Sequence, residues 1–270
     1  DDVSTITINK QIITGGGNEA ASATFELSGE ESLIGVTVAG VTIAEDTEGY
    51  DAESNTYTFS GESTDITGLK DGTYKLKETA APDGYTVIST FTFEIENGVV
   101  TSTSTVTTGE VKVSTDGKTI TVLDEISEIE INKSTVGGET LVDDATFTLT
   151  AVDTVLDGVN VKTTDADGNT TDEIIVKQGE ESVTSIDLEG NDWILTGLPD
   201  GTYILEETVA PDGYTVVSTF TFVVENGVVK ETSADTTGDV SVSEDGGKIT
   251  VLDDVSTITI NKQIITGGGN

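Results

Sequence analysis

Gly72-Thr73-Tyr74-Lys75-Leu76-Lys77-Glu78-Thr79-Ala80-Ala81-Pro82-Asp83-Gly84-Tyr85 carries the pattern that decides the fold. Tyr74 and Leu76 alternate with polar residues, so the run reads as a strand with one buried face. Pro82-Asp83-Gly84 then closes it in a turn. The run returns in diverged form as Gly201-Thr202-Tyr203-Ile204-Leu205-Glu206-Glu207-Thr208-Val209-Ala210-Pro211-Asp212-Gly213-Tyr214. Further out, Ile120-Thr121-Val122-Leu123-Asp124 returns as Ile249-Thr250-Val251-Leu252-Asp253, and Asp1 to Asn18 recur unchanged as Asp253 to Asn270. The unit is a module of about 125 residues, present twice and followed by the opening strand of a third. Its size marks an array of independent domains, because solenoid repeats run about 20–50 residues. The expected boundaries are 1–124, 125–253 and 254–270.

Each module reads as all-β. Thr5-Ile6-Thr7-Ile8, Thr24-Phe25-Glu26-Leu27 and Phe91-Thr92-Phe93-Glu94-Ile95 alternate with period two. Asn97-Gly98, Asp116-Gly117, Asn226-Gly227 and Asp245-Gly246 supply the positive φ angles that tight hairpins need. No segment carries a helical stripe, and strands and turns at this spacing point to a β-sandwich. Residues 125–132 form a short junction without a Gly/Pro/Ser-rich spacer, which predicts closely coupled modules.

The composition excludes several function classes. The chain of 270 residues has 50 acidic and 12 basic residues, a formal net charge of −38, and no His, Cys or Met; every basic residue is lysine. Without His or Cys there is no ordinary zinc, haem or iron–sulfur site, no thiol nucleophile and no disulfide. A polyanion lacking arginine does not neutralise phosphates, so neither nucleic acid nor an acidic membrane is an expected partner. No apolar run reaches membrane-spanning length, and neither end is expected to be a signal peptide or an anchoring tail. With no methionine, Asp1 is not expected to be a translation start, so the chain reads as a piece of a longer one. No constellation suggests turnover of an external substrate.

Strand parity then singles out three charged residues per module. Side chains alternate between faces, so Lys10 shares a face with Ile6 and Ile8, Glu78 with Tyr74 and Leu76, and Asp124 with Ile120 and Val122. The second module repeats this with Lys133, Glu207 and Asp253, and the last strand carries Ile258, Ile260 and Lys262. Burying an ion costs several kcal/mol, so a lone inward lysine is not expected to be retained. Two carboxylates and one ammonium leave a surplus negative charge, which makes a shared proton the cheaper state. Desolvation favours the neutral amine and the neutral acid. A neutral amine beside a protonated acid is a nucleophile beside an electrophile, and a second carboxylate can pass the protons. The expected product is one Lys–Asp amide per module.

These residues carry a resemblance. Glu78-Thr79-Ala80-Ala81-Pro82-Asp83-Gly84-Tyr85, Ile8-Asn9-Lys10 and Ile120-Thr121-Val122-Leu123-Asp124 resemble the Cna B-type (SpaA-like) repeats of Gram-positive surface adhesins and pilins, whose members form intramolecular isopeptide bonds. The chain is especially similar to the streptococcal fibronectin-binding-protein domain used for tag-and-catcher ligation. The resemblance covers both modules and implies tandem Ig-like or prealbumin-like β-sandwiches. It implies that Lys10 joins Asp124 with Glu78 assisting, and that Lys133 joins Asp253 with Glu207 assisting. Asp1 would be the acceptor of a preceding module and Lys262 the donor of a following one. It also implies an extracellular, cell-surface stalk whose partners are adjacent like modules. From the composition no metal or cofactor is expected, and the exposed last strand bearing Lys262 offers strand complementation between chains as a further route. The second module is longer between Lys133 and Glu207, so its middle is not expected to copy the first.

Plainer readings stand beside these. The lysines could be solvated strand ends, Glu78 a surface residue past a frayed strand, Asp124 and Asp253 the start of a junction, or each triad a noncovalent salt bridge. Asp165-Ala166-Asp167-Gly168-Asn169 has a calcium-loop flavour, but its glycine comes too early for an EF-hand and a hairpin tip is expected. Trp193 reads as core. Other functions weighed are a calcium-rigidified extender without crosslinks and a module gripping a host glycan or matrix protein.

Overall fold

The computed structural model describes residues 3–135, 141, 145–165, 169–177, 179, 181–217, 219–233, 240–253 and 255–262. The expectations placed on Asp1, on 166–168 and on 263–270 lie outside these residues. The first half contains β1 (Thr5–Thr14), β2 (Gly17–Ala20), β3 (Ala23–Gly29), β4 (Thr37–Val38), β5 (Val41–Thr42), β6 (Tyr50–Asp51), β7 (Thr56–Gly61), β8 (Ser63–Thr67), β9 (Gly72–Ala80), β10 (Phe91–Glu96), β11 (Val99–Thr103), β12 (Glu110–Val113) and β13 (Thr119–Asp124). The second contains β14 (Glu128–Thr135), β15 (Ala145–Ala151), β16 (Asn160–Thr164), β17 (Thr170–Ile175), β18 (Ser185–Gly190), β19 (Asp192–Thr196), β20 (Gly201–Val209), β21 (Phe220–Glu225), β22 (Val228–Thr232), β23 (Val240–Val242) and β24 (Lys248–Asp253). Among the described residues there is no helix.

Each half folds two sheets around its own core. In the first, β12-β13-β1-β8-β4-β5, with β2 on β1, faces β11-β10-β9-β3-β7-β6; in the second, β17-β16-β19-β14-β24-β23 faces β18-β15-β20-β21-β22. Ile6, Ile8, Ile66, Ile120 and Val122 from one sheet meet Phe25, Leu27, Leu76 and Phe91 from the other. The equivalent cluster joins Ile129, Ile131, Trp193, Ile249 and Val251 to Phe147, Leu149, Leu205 and Phe220. Burying each such side chain favours folding by about 1.5–3 kcal/mol. Tyr74 stacks on Phe93 at 5.6 Å and Tyr203 on Phe222 at 5.2 Å. Each buried tyrosine hydroxyl donates to a carbonyl four residues back, Lys70 and Pro199, as an otherwise apolar site requires.

One pairing matters most for function. The first and last strands of each half lie side by side and parallel: β1 on β13 with Lys10 opposite Val122 and Ile12 opposite Asp124, and β14 on β24 with Lys133 opposite Val251 and Thr135 opposite Asp253. Ends far apart in sequence are thereby neighbours.

Several details differ from the sequence reading. Asn97-Gly98 and Asn226-Gly227 both take positive φ, but at Asp116-Gly117 and Asp245-Gly246 only the glycine does. There the loop is longer, and Ser114 or Ser243 donates its hydroxyl to the aspartate. β14 begins at Glu128, so the junction is shorter than 125–132. Residues 256–262 form no ladder, and Ile258 and Ile260 are 87% and 89% exposed whereas Ile6 and Ile8 of the identical run are 1% and 2% exposed. A strand needs a partner, and among the described residues this one has no parallel neighbour equivalent to β13. The middle of the second half replaces the two-residue strands β4 and β5 with the longer hairpin β16–β17. Asp165 and Asn169 close that hairpin through an N–H to carbonyl bond of 3.0 Å.

Candidate functional site

The sequence places Lys10, Glu78 and Asp124 on inward faces, and the sheet pairing brings all three together. Lys10 Nζ lies 2.5 Å from Asp124 Oδ2 and 3.6 Å from Glu78 Oε1, with all three side chains fully buried. In the second half Lys133 Nζ lies 2.8 Å from Asp253 Oδ1 and 3.0 Å from Glu207 Oε1, again without exposure. Lys10 also donates to Gln11 O at 3.0 Å. Lys262 is exposed and outside any such group.

The lysine and aspartate arrive from adjacent parallel strands, two register positions apart on one face. The glutamate arrives from the opposite sheet, so the triad spans the sandwich. A β-bulge aims it: Phe25 pairs with Glu78 but Thr24 with Ala80, and Phe147 pairs with Glu207 but Thr146 with Val209. Bulges re-aim side chains in this way. The sequence reading did not find them. Nor did it find the backbone donors that hold each glutamate, Ile88 N–H to Glu78 Oε2 at 2.8 Å and Val217 N–H to Glu207 Oε2 at 2.6 Å. The constant spacing of ten residues between acid and donor was the available signal. The Phe147 ring centroid lies 5.4 Å from Lys133 Nζ, close enough for a cation–π contact.

The electrostatics match a surplus acid in a dry site. Burial, then the neighbouring Asp124 carboxylate, pushes Glu78 up to about 8 against the opposing pull of Lys10. Asp124 is raised by burial, with Lys10 opposing. Glu207 is also raised, chiefly by burial, with the Val217 N–H and Lys133 opposing. At neutral pH Glu78 therefore holds a proton that it can share with Asp124 across the group. Trp193 is buried and donates Nε1–H to Glu189 O at 3.1 Å, in keeping with a core role.

Solved structures similar to this chain include the TIE protein of Bacillus anthracis, 21% identical, with 94% of this chain aligned to 34% of that one at a TM-score of 0.33. This chain thus spans about a third of that protein's length. The C-terminal fragment of the pilus adhesin SpaC of Lactobacillus rhamnosus GG is 18% identical over 95% of this chain and 100% of that one, at a TM-score of 0.31. The shaft pilin SpaA of the same organism is 16% identical over 96% and 100%, at a TM-score of 0.28. At such scores these likenesses carry no argument. No curated protein matches the chain. The SpaA prealbumin-like fold domain matches twice, at residues 4–110 and 127–238, most of the sequence. With two such matches on two all-β sandwiches, the chain belongs to the SpaA prealbumin-like fold domain family.

Proposed function

We propose that this chain is a stalk or shaft segment of a cell-surface adhesin or pilus-like fibre, locked in each module by a self-formed Lys–Asp amide. The modules are 1–124 and 125–253, and 254–270 opens the next. The observation that carries the reading is the same buried triad in both halves, with amine and carboxyl at 2.5 Å and 2.8 Å.

The chemistry balances without an external reagent. The Lys10 ammonium passes its proton within the triad, leaving a neutral amine beside a protonated Asp124 acid. Nζ attacks Cγ, the tetrahedral centre collapses, and the C–O bond breaks as Glu78 delivers a proton to the departing hydroxyl. The amine loses its second proton back to Glu78, so the products are an amide and one water. Close approach supplies effective molarity, and the dry core disfavours return of water. Lys133, Glu207 and Asp253 repeat the step once, so neither module is an enzyme in the sense of turnover.

The mechanical consequence follows from the parallel pairing. Load entering β1 at Lys10 crosses the amide to Asp124, follows residues 125–127 into β14, and crosses the second amide from Lys133 to Asp253. The chain between each lysine and its aspartate is shielded. Residues 255–262 would bury Ile258 and Ile260 and supply Lys262 on becoming the first strand of a like module, in this chain's continuation or in a neighbour. Intact mass tests the reading: two waters should be missing, with Lys10 linked to Asp124 and Lys133 to Asp253 in peptide maps. Full mass with all four residues in unmodified peptides would end it.

A further inference from the structure

The loop that carries Glu78 is held from two sides, and one of the holders belongs to the next module. Thr79 is the bulged residue of β9, without a partner in the β3 register, so its carbonyl seeks a bond elsewhere. It accepts from Asn226 Nδ2 at 3.3 Å, while Asn226 Oδ1 accepts from the Ala81 N–H at 3.2 Å. Asn226 and Gly227 form the β21–β22 turn at φ 55° and 73°. Asp200 fixes that turn by accepting from both of its N–H groups, at 2.7 Å and 3.1 Å. The packing is tight: a Cβ on Gly227 would come 2.6 Å from Tyr85 O, and one on Gly84 2.9 Å from Gly197 O.

The other arm of the loop is held by the junction itself. Ile126 bridges Tyr85, the Ser127 N–H bonds Gly84 O at 2.9 Å, and the Thr86 N–H bonds Glu125 O at 3.0 Å. Two residues beyond Thr86, Ile88 reaches Glu78.

The second module provides an internal comparison. Val255 bridges Tyr214 and the Ser256 N–H bonds Gly213 O at 2.9 Å, so the junction arm is repeated. Among the described residues no hairpin is docked on Thr208 and Ala210, and Gly213 is exposed where Gly84 is buried. Conversely, the Asn97-Gly98 turn has the same backbone form, φ 53° and 76°, but Asn97 is exposed and, among the described residues, clamps no loop.

We propose that Asn226 is a positioning residue for the crosslink of the module before it, so that docking of the second module speeds formation of the Lys10–Asp124 amide. Lys133–Asp253, whose glutamate loop has only the junction arm among the described residues of this chain, closes more slowly in it. The inference rests on the crosslink reading above. In a longer array each module would complete its amide fastest once its successor had folded onto it, ordering maturation along the stalk.

The test uses the full chain, isolated unfolded in denaturant, refolded by dilution and quenched at intervals, with each amide timed by mass spectrometry of its crosslinked peptide. N226G keeps a turn that tolerates positive φ but removes the clamp; N97G makes the same change at the unclamped turn. In the wild type the Lys10–Asp124 amide should form first. N226G should slow it roughly tenfold or more, within the ~100-fold that a 1 Å misplacement costs, and leave Lys133–Asp253 unchanged. N97G should alter neither. In N226G the loosened loop admits water to Glu78, so the loss of first-module rate with rising pH should move to lower pH. A purely structural weakening would leave that profile in place. Equal first-module rates in N226G and wild type, or slowing of Lys133–Asp253 instead, would overturn the proposal. Absence of both amides from the wild type would remove the crosslink reading itself, and the proposal with it.

Discussion

Lys10 and Lys133 are sealed in the core, whereas Lys70, Lys77 and Lys112 pair with Glu31, Glu26 and Glu110 in partial or full exposure. Exposed pairs contribute about 0–1 kcal/mol, so substituting those three lysines should leave melting almost unchanged. K10A should remove one of the two expected water losses and leave the Lys133–Asp253 amide intact, as read by intact mass. E78Q retains the shape of the site but cannot cycle a proton, and should slow the first amide by about 10²–10⁴-fold. The sign of the pH effect follows from Glu78. Its carboxyl, pushed up to about 8, holds the shared proton below that pH and releases it above. The rate of the first amide should therefore fall as pH rises through about 8, in quenched refolding at a series of pH values.

Elements are held by features that a crosslink-blocked background would expose. Tyr74 donates its hydroxyl to Lys70 O at 3.0 Å from a buried ring. In a K10A background Y74F should lose about 1 kcal/mol, since the carbonyl loses its partner while the ring still packs. Ala39 sits at φ 50° beside Gly40 at φ 81° in the turn between β4 and β5. A left-handed conformation costs a residue with Cβ roughly 1–2 kcal/mol, but asparagine tolerates it better. A39N should therefore raise stability by about 0.5–1 kcal/mol in denaturant unfolding of the same background. The Asn-Gly hairpins were legible because asparagine and glycine suit two successive left-handed residues. The Asp-Gly loops were read too tightly, since the serines that bond to the aspartates and stabilise the longer form, Ser114 and Ser243, lie outside the dipeptide.

Over the whole molecule, the proposed closure between Lys10 and Asp124 would remove the entropy of a loop of about 100 residues. By analogy with a disulfide this would be worth roughly 5 kcal/mol. Under force, wild-type modules should not lengthen. A variant carrying K10A should release residues 11–123, roughly 380 Å of extended chain, in single-molecule stretching. Chelator should leave the melting temperature unchanged, whereas a calcium-rigidified extender would show a large drop. Acidic residues spread over both sandwiches keep such an array solvated and resist lateral association.

The sequence by itself determined the all-β class, the repeat, and which face of each strand carries Lys10, Glu78, Asp124 and their counterparts. Parity is a local property, fixed by alternation along a single strand, and the repeat is visible as identity. Only the tertiary structure decided that the first and last strands pair in parallel and bring Lys10 within 2.5 Å of Asp124. It alone showed the bulge at Thr79, and Asn226 reaching back to that bulge from the neighbouring module. Those depend on register between segments far apart in the chain, which no pattern within one segment encodes.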